Sequence, residues 1–143
     1  MQLYLAVKGL VRNKEGKILV VQRSVGDDHK PGVWETPGGG VDQEEAPQKA
    51  LEREIKEETG LDVIVGDSIN IFTFRKDTGE FKVGITFLCD LPEGTDETSV
   101  VLSPEHSEYR WVAAADFQDL PSIPSLYQEI AEYAKKYEAP AKE

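Results

Sequence analysis

The chain is short of cysteine, of long apolar runs and of positive charge, and each shortage closes off a class of protein. A single cysteine, Cys89, cannot close an internal disulfide, which excludes a disulfide-stapled secreted scaffold. Lying in an apolar run, Cys89 reads as a core residue. No stretch approaches the ~20 apolar residues of a membrane-spanning helix, and the N-terminus lacks a basic region followed by a small-residue cleavage site. A cytoplasmic protein with no membrane partner is therefore expected. Lysine and arginine number 16 against 27 aspartates and glutamates, a formal net charge of −11. A surface of that sign suits no long nucleic acid, because binding one relies on neutralising phosphates with Lys and Arg. The glutamate-rich middle of the chain, residues 39 to 61, holds no histidine or cysteine, which argues against zinc there, and neither His29 nor His106 has ligand spacing to another histidine. Both read as surface residues.

What remains is ordinary globular composition, enough chain for one domain, and a sharply patterned middle. Leu3 to Val11 and Lys17 to Arg23 read as strands joined by the turn Asn13-Lys14-Glu15-Gly16, a hairpin. Residues 24 to 33 read as an exposed loop. Strand signals return at Val63 to Val65, Ile69 to Arg75, Lys82 to Cys89 and Glu108 to Ala113, with a turn at Asp77-Thr78-Gly79 and an acidic loop from Leu91 to Ser99. Ser122 to Tyr137 carries apolar residues at helical spacing, and Pro124 fits its first turn. Strands interrupted by helices point to an α/β class, helices layered on a sheet. A single domain over residues 1–138 is expected, with a flexible tail at 139–143.

The middle segment, residues 39 to 61, reads GGVDQEEAPQKALEREIKEETGL. Pro47 suits a helix start and Gly60 the residue just past a helix end. On that helix Glu54, Glu57 and Glu58 are neighbours three and four apart. At about 100° per residue they share a hemisphere with Ala50, Leu51 and Ile55, while Lys49, Glu52 and Lys56 lie opposite. Carboxylates turned toward a protein body are costly unless paired or bound to metal. Three clustered anionic oxygens suit Mg²⁺, with Mn²⁺ as a second fit. Before the helix, Trp34 to Gly40 (WETPGGG) reads as a rigid glycine-rich loop, with Trp34 as a packing residue.

The segment fits G-x5-E-x7-R-E-U-x-E-E-x-G-U, where U is a bulky aliphatic, at every defined position: Gly39, Glu45, Arg53, Glu54, Ile55, Glu57, Glu58, Gly60 and Leu61. This pattern resembles the signature of the Nudix hydrolases, which cleave a diphosphate linkage in nucleoside diphosphates joined to another group. The resemblance implies the Nudix fold, a mixed β-sheet sandwiched between α-helices. It implies Mg²⁺ held by Glu54, Glu57 and Glu58, with the Gly38 carbonyl as a further ligand. It also implies a salt bridge from Glu45 to Arg53 that joins loop to helix, and structural roles for Gly39 and Gly60.

The same resemblance offers Glu54 as general base, or a glutamate outside the motif, where Glu105 is the candidate and Glu108 its rival. Arg23, ending the second strand, matches an arginine that touches substrate phosphate in several members. The substrate expected is a small nucleotide, most simply a nucleoside triphosphate cleaved as by the MutT type. ADP-ribose, nucleotide sugars and dinucleoside polyphosphates are alternatives, though Phe74 to Thr78 carries neither the proline nor the tyrosine that marks two of those subclasses. A non-catalytic nucleotide-binding domain is a further alternative, against which the complete glutamate set counts. A homodimer is compatible with the resemblance.

Overall fold

The computed structural model describes residues 3–24, 31–42, 44–76 and 78–137. The tail and His29 lie outside the described residues. Apolar residues alternate or run together in the chain's strands, and the described strands join one mixed seven-stranded sheet. In order these are β1 (Tyr4–Arg12), β2 (Ile18–Arg23), β3 (Trp34–Glu35), β4 (Gly38–Gly40), β5 (Ile64–Arg75), β6 (Phe81–Asp90) and β7 (His106–Val112). Helix α1 (Pro47–Thr59) follows β4, and α2 (Pro124–Tyr137) closes the described chain. The main path runs β3-β2-β1-β6-β5, with β4 paired to β1 and β7 to β2. β1 and β6 run parallel, with Val7 opposite Ile85 and Val11 opposite Cys89; the other pairs are antiparallel.

Each face of the sheet buries one helix, as strand alternation requires. Val7, Val11, Leu19, Phe87 and Cys89 meet Ala50, Leu51 and Ile55 of α1. Leu10, Ile18, Val20, Trp34 and Leu88 meet Leu126, Ile130 and Tyr133 of α2, together with Phe117. β2 reads Ile-Leu-Val-Val without alternation because both of its faces are covered. Cys89 is fully buried, and burial pushes its thiol up to about 12. Trp34 is buried beneath the Arg110 guanidinium, 4.9 Å from its ring centre. Among the described residues no helix is long and apolar enough to cross a membrane.

Several elements depart from the sequence reading. The expected hairpin pairs only beside its turn, Arg12 opposite Ile18, because β1 gives its edges to β6 and to the inserted strand β4. The glycine-rich "loop" contains two short strands, β3 and β4. The two segments read at residues 63–65 and 69–75 are one strand, β5, whose register shifts twice against β6 between Val65 and Asn70; bulges absorb the intervening polar residues. β7 starts two residues earlier than expected, and a 3₁₀ segment at Ala114–Asp119 was not foreseen.

Candidate active site

The site forms where β4 is laced against β1 on one side and α1 on the other. Gly38, Gly39 and Gly40 pair with Lys8, Val7 and Ala6. Glycine is required by contact here, not only by flexibility. A Cβ on Gly38 would lie 2.1 Å from the Val7 carbonyl oxygen, and one on Gly39 would lie 2.2 Å from Oε2 of Glu54. The second contact shows how closely α1 presents Glu54 to the strand. Helix α1 begins at Pro47 with no side-chain cap and ends on Gly60, whose φ of 76° and N–H to the Lys56 carbonyl make a left-handed cap.

The loop between β4 and α1 is tied down by Arg53. Its Nε donates to Glu45 Oε2 at 2.8 Å and its Nη2 to Glu45 Oε1 at 2.9 Å, a two-pronged pairing. Nη2 also reaches the Gly40 carbonyl at 3.3 Å, and Glu45 accepts the Asp42 N–H at 3.2 Å. The salt bridge implied by the motif is thus present, and it holds Glu45 below the usual carboxylate range. Arg53 does more than the pattern implied, since its Nη1 donates to Glu54 Oε1 at 3.0 Å and to Glu57 Oε1 at 3.2 Å.

The three motif glutamates therefore occupy distinct settings. Glu58 is buried, 6% exposed, and accepts the Gly38 N–H at 3.2 Å. Burial pushes its carboxyl up to about 7, against the opposing pull of Lys8, His106 and the Gly38 N–H. Glu54 is half-buried; burial raises it too, Arg53 opposes, and the negative charges of Glu57 and Glu105 add to the rise. Glu57 is exposed, although the helical wheel groups it with the inward residues. Among the described residues no three acidic, His or Cys side chains converge at ligand spacing. Nη1 of Arg53 pairs with both Glu54 and Glu57.

The donor set still fits a hard divalent cation. Glu54 and Glu58 are both raised by burial, so a positive charge beside them would relieve a cost the protein leaves standing. All the available donors are oxygens, which suits Mg²⁺ or Mn²⁺ over zinc.

Across Pro37 lies a network the sequence reading missed. Glu35 accepts from His106 Nε2 at 2.8 Å and from Arg23 Nε at 3.2 Å, with Lys8 Nζ at 3.9 Å. Burial pushes this carboxyl up, but Lys8, His106 and Arg23 outweigh it and hold Glu35 down at about 2. His106, read as a surface residue, is 5% exposed. Strand register explains the convergence: Val21 opposes Glu35 on β3, and Arg23 opposes His106 on β7, so β2 gathers all of them to the face that carries α1. Arg23, expected at substrate phosphate, stands at the rim of this network. Glu105 is exposed and its charge acts on Glu54, whereas Glu108 sits in β7 opposite Gln22, 3.7 Å from Arg110.

The NUDIX domain matches residues 3–134. A MutT-like protein of Streptomyces ambofaciens is 32% identical over 94 residues, covering 66% of this chain and 56% of that protein. The nucleoside triphosphatase NudI of Klebsiella pneumoniae is 30% identical over 125 residues, 77% of this chain and 82% of that protein. The crystal structure of a MutT protein from Methanosarcina mazei Go1 superposes with a TM-score of 0.79 at 28% identity, covering 96% of each chain. The chain spans about half the length of several curated relatives it matches. A mixed sheet between two helices, a complete motif on the first helix and a match over nearly the whole chain agree: the chain belongs to the Nudix family.

Proposed function

We propose that the protein is a Mg²⁺-dependent pyrophosphohydrolase of small nucleotides, acting on a nucleoside triphosphate. The observation that carries this reading is the pair of under-neutralised carboxylates, half-buried Glu54 and buried Glu58, packed against the Gly38-Gly39 strand. A cation held by Glu54, Glu57, Glu58 and the backbone at Gly38 would polarise the phosphoryl oxygens and offset the charge of the leaving pyrophosphate. Glu105, exposed and within electrostatic reach of Glu54, would take the proton from the attacking water. Water then adds to phosphorus, the diphosphate P–O bond breaks, and nucleoside monophosphate and pyrophosphate are the products. Arg23, steadied by Glu35, would meet a substrate phosphate oxygen. The triphosphate preference draws support from the named activity of the Klebsiella relative, which matches most of the chain.

The test is product release with Mg²⁺ and with chelator across nucleoside triphosphates, oxidised nucleotides, ADP-ribose, nucleotide sugars and dinucleoside polyphosphates. Metal-dependent release of pyrophosphate from a triphosphate is the expected outcome. Preferred cleavage of ADP-ribose or a dinucleotide would keep the hydrolase and replace its substrate. Tight nucleotide binding without turnover in Mg²⁺ would replace the enzyme with a binding domain.

A further inference from the structure

His106 is a buried histidine beside the candidate base, and the segment around it is fastened on several sides. The Ser103 N–H donates to the Glu58 carbonyl at 3.2 Å, and the Ser24 N–H to the Glu105 carbonyl at 3.0 Å. The Ser24 hydroxyl donates to the Pro104 carbonyl at 2.8 Å, and the His106 N–H to the Ser103 carbonyl at 3.2 Å. The pairing of β2 with β7 slips here: Gln22 opposes Glu108 but Arg23 opposes His106, leaving Ser107 without an opposite number. Such a bulge re-aims side chains at the end of a ladder. The result is His106 turned inward to Glu35 while Glu105, one residue earlier, is exposed, with its charge felt at Glu54.

Among the described residues the imidazole has one hydrogen-bond partner. Nε2 meets Glu35 at 2.8 Å, while Nδ1 is buried with no hydrogen bond among the described residues. That arrangement suits the tautomer with its proton on Nε2, donating to the carboxylate, since a buried bare acceptor costs less than a buried bare donor. The single strong contact of this ring is therefore a strut between β3 and the bulged start of β7.

We propose that His106 is a positioning residue, whose hydrogen bond to Glu35 pins the bulged start of β7 so that the neighbouring Glu105 carboxylate is held over Glu54. This rests on the reading of Glu105 as the base. The experiment is a double-mutant cycle between His106→Leu and Glu105→Gln, assayed on the triphosphate the panel turns over best. His106→Leu is expected to lower kcat by ~10–100-fold, the scale of a small misplacement of a reacting group. KM should move little, because no substrate contact is lost. His106→Gln, which keeps a donor for Glu35, should restore most of the rate. In the Glu105→Gln background His106→Leu should add less than about twofold. Equal losses in both backgrounds would overturn the positioning role and leave the base intact. Full activity of Glu105→Gln would remove the base reading and this proposal with it. A second readout needs no turnover: exchange of the Ser24 amide, which donates to the Glu105 carbonyl, should quicken in His106→Leu and not in His106→Gln, with β1 amides unchanged. Unchanged exchange at Ser24, or equal quickening throughout the sheet, would count against it.

Discussion

Glu35 and Glu58 lie on either side of Pro37-Gly38, both largely buried, yet one is held at about 2 and the other pushed to about 7. Burial raises both. The difference lies in partners. Glu35 has Lys8, Arg23 and His106 around a single carboxylate. Glu58 has one backbone N–H, a share of the same Lys8 and His106 at longer range, and a second carboxylate, Glu54, working against it. One carboxylate is balanced within the protein, while the other is left with a burial cost that its neighbours do not offset. The sheet separates them by placing Glu35 beside β2, whose Arg23 faces it, and Glu58 on α1, where Arg53 is occupied by Glu45, Glu54 and Glu57. Two glutamates that approach the same strand thus acquire opposite shifts from the elements that flank them.

Turnover should separate the two carboxylates most. Glu58→Gln and Glu54→Gln keep side-chain volume and remove the negative charge. Each should lower kcat/KM by ~10²–10⁴, the range for losing a group that acts in the transition state. Glu35→Gln should reduce it far less. Addition of Mg²⁺ should raise the melting temperature of the wild type more than that of Glu58→Gln. Equal metal stabilisation of the two proteins would mean that Glu58 holds no cation.

A second prediction concerns stability against pH, measured by urea unfolding in chelator. Glu35 has a folded-state pKa below its ordinary value, so its contribution is present above about 4.5 and lost as pH falls toward 2. Removing it should cost about 3 kcal/mol at pH 8 and flatten the acid limb between those values. Glu58 has the opposite sign. Its protonated form is favoured by folding, so its contribution is full below about 4.5 and lost as pH rises through 7. Glu58→Gln should therefore match or exceed wild-type stability at pH 8. If both variants lose stability alike at pH 8, the contrast between the two carboxylates is void.

Much of the Glu58 side of this comparison was legible in the sequence, and almost none of the Glu35 side. The helix could be read because period, start and stop agree: Pro47 at its first turn, Gly60 in a left-handed cap, Ala50, Leu51 and Ile55 on the buried stripe. Even there the wheel gives direction without depth, and it groups exposed Glu57 with buried Glu58. The Glu35 network depends on β3 and β4, strands of two and three residues. Such lengths have no period to detect, and glycine has low strand preference. His106 turns inward through a bulge, which shifts the alternation by one and cannot be read from the run His-Ser-Glu-Tyr-Arg-Trp. The signal that was present is nonlocal: Arg23 ends a strand covered on both faces, and a carboxylate on a strand beside it needs a cation. The parallel pairing of β1 with β6 joins residues far apart in sequence, and only the family resemblance anticipated a mixed sheet.

A finer contrast lies in the strand between the two carboxylates. Gly38 and Gly39 look equivalent in sequence, but an added methyl meets different neighbours. At Gly38 it would strike the Val7 carbonyl oxygen, which belongs to the central strand and cannot yield without opening the β1–β4 ladder. Gly38→Ala should therefore lower stability by about 1–3 kcal/mol. At Gly39 it would strike the end of the Glu54 side chain, which can swing away at the cost of its place beside Glu58. Gly39→Ala should leave melting nearly unchanged while reducing kcat about tenfold, since a displaced carboxylate still carries its charge. Circular dichroism melting together with turnover in Mg²⁺ separates the two. A Gly39→Ala protein with full activity would mean that the Glu54 carboxylate works equally well from another position, and that its tight seat against the strand is packing alone.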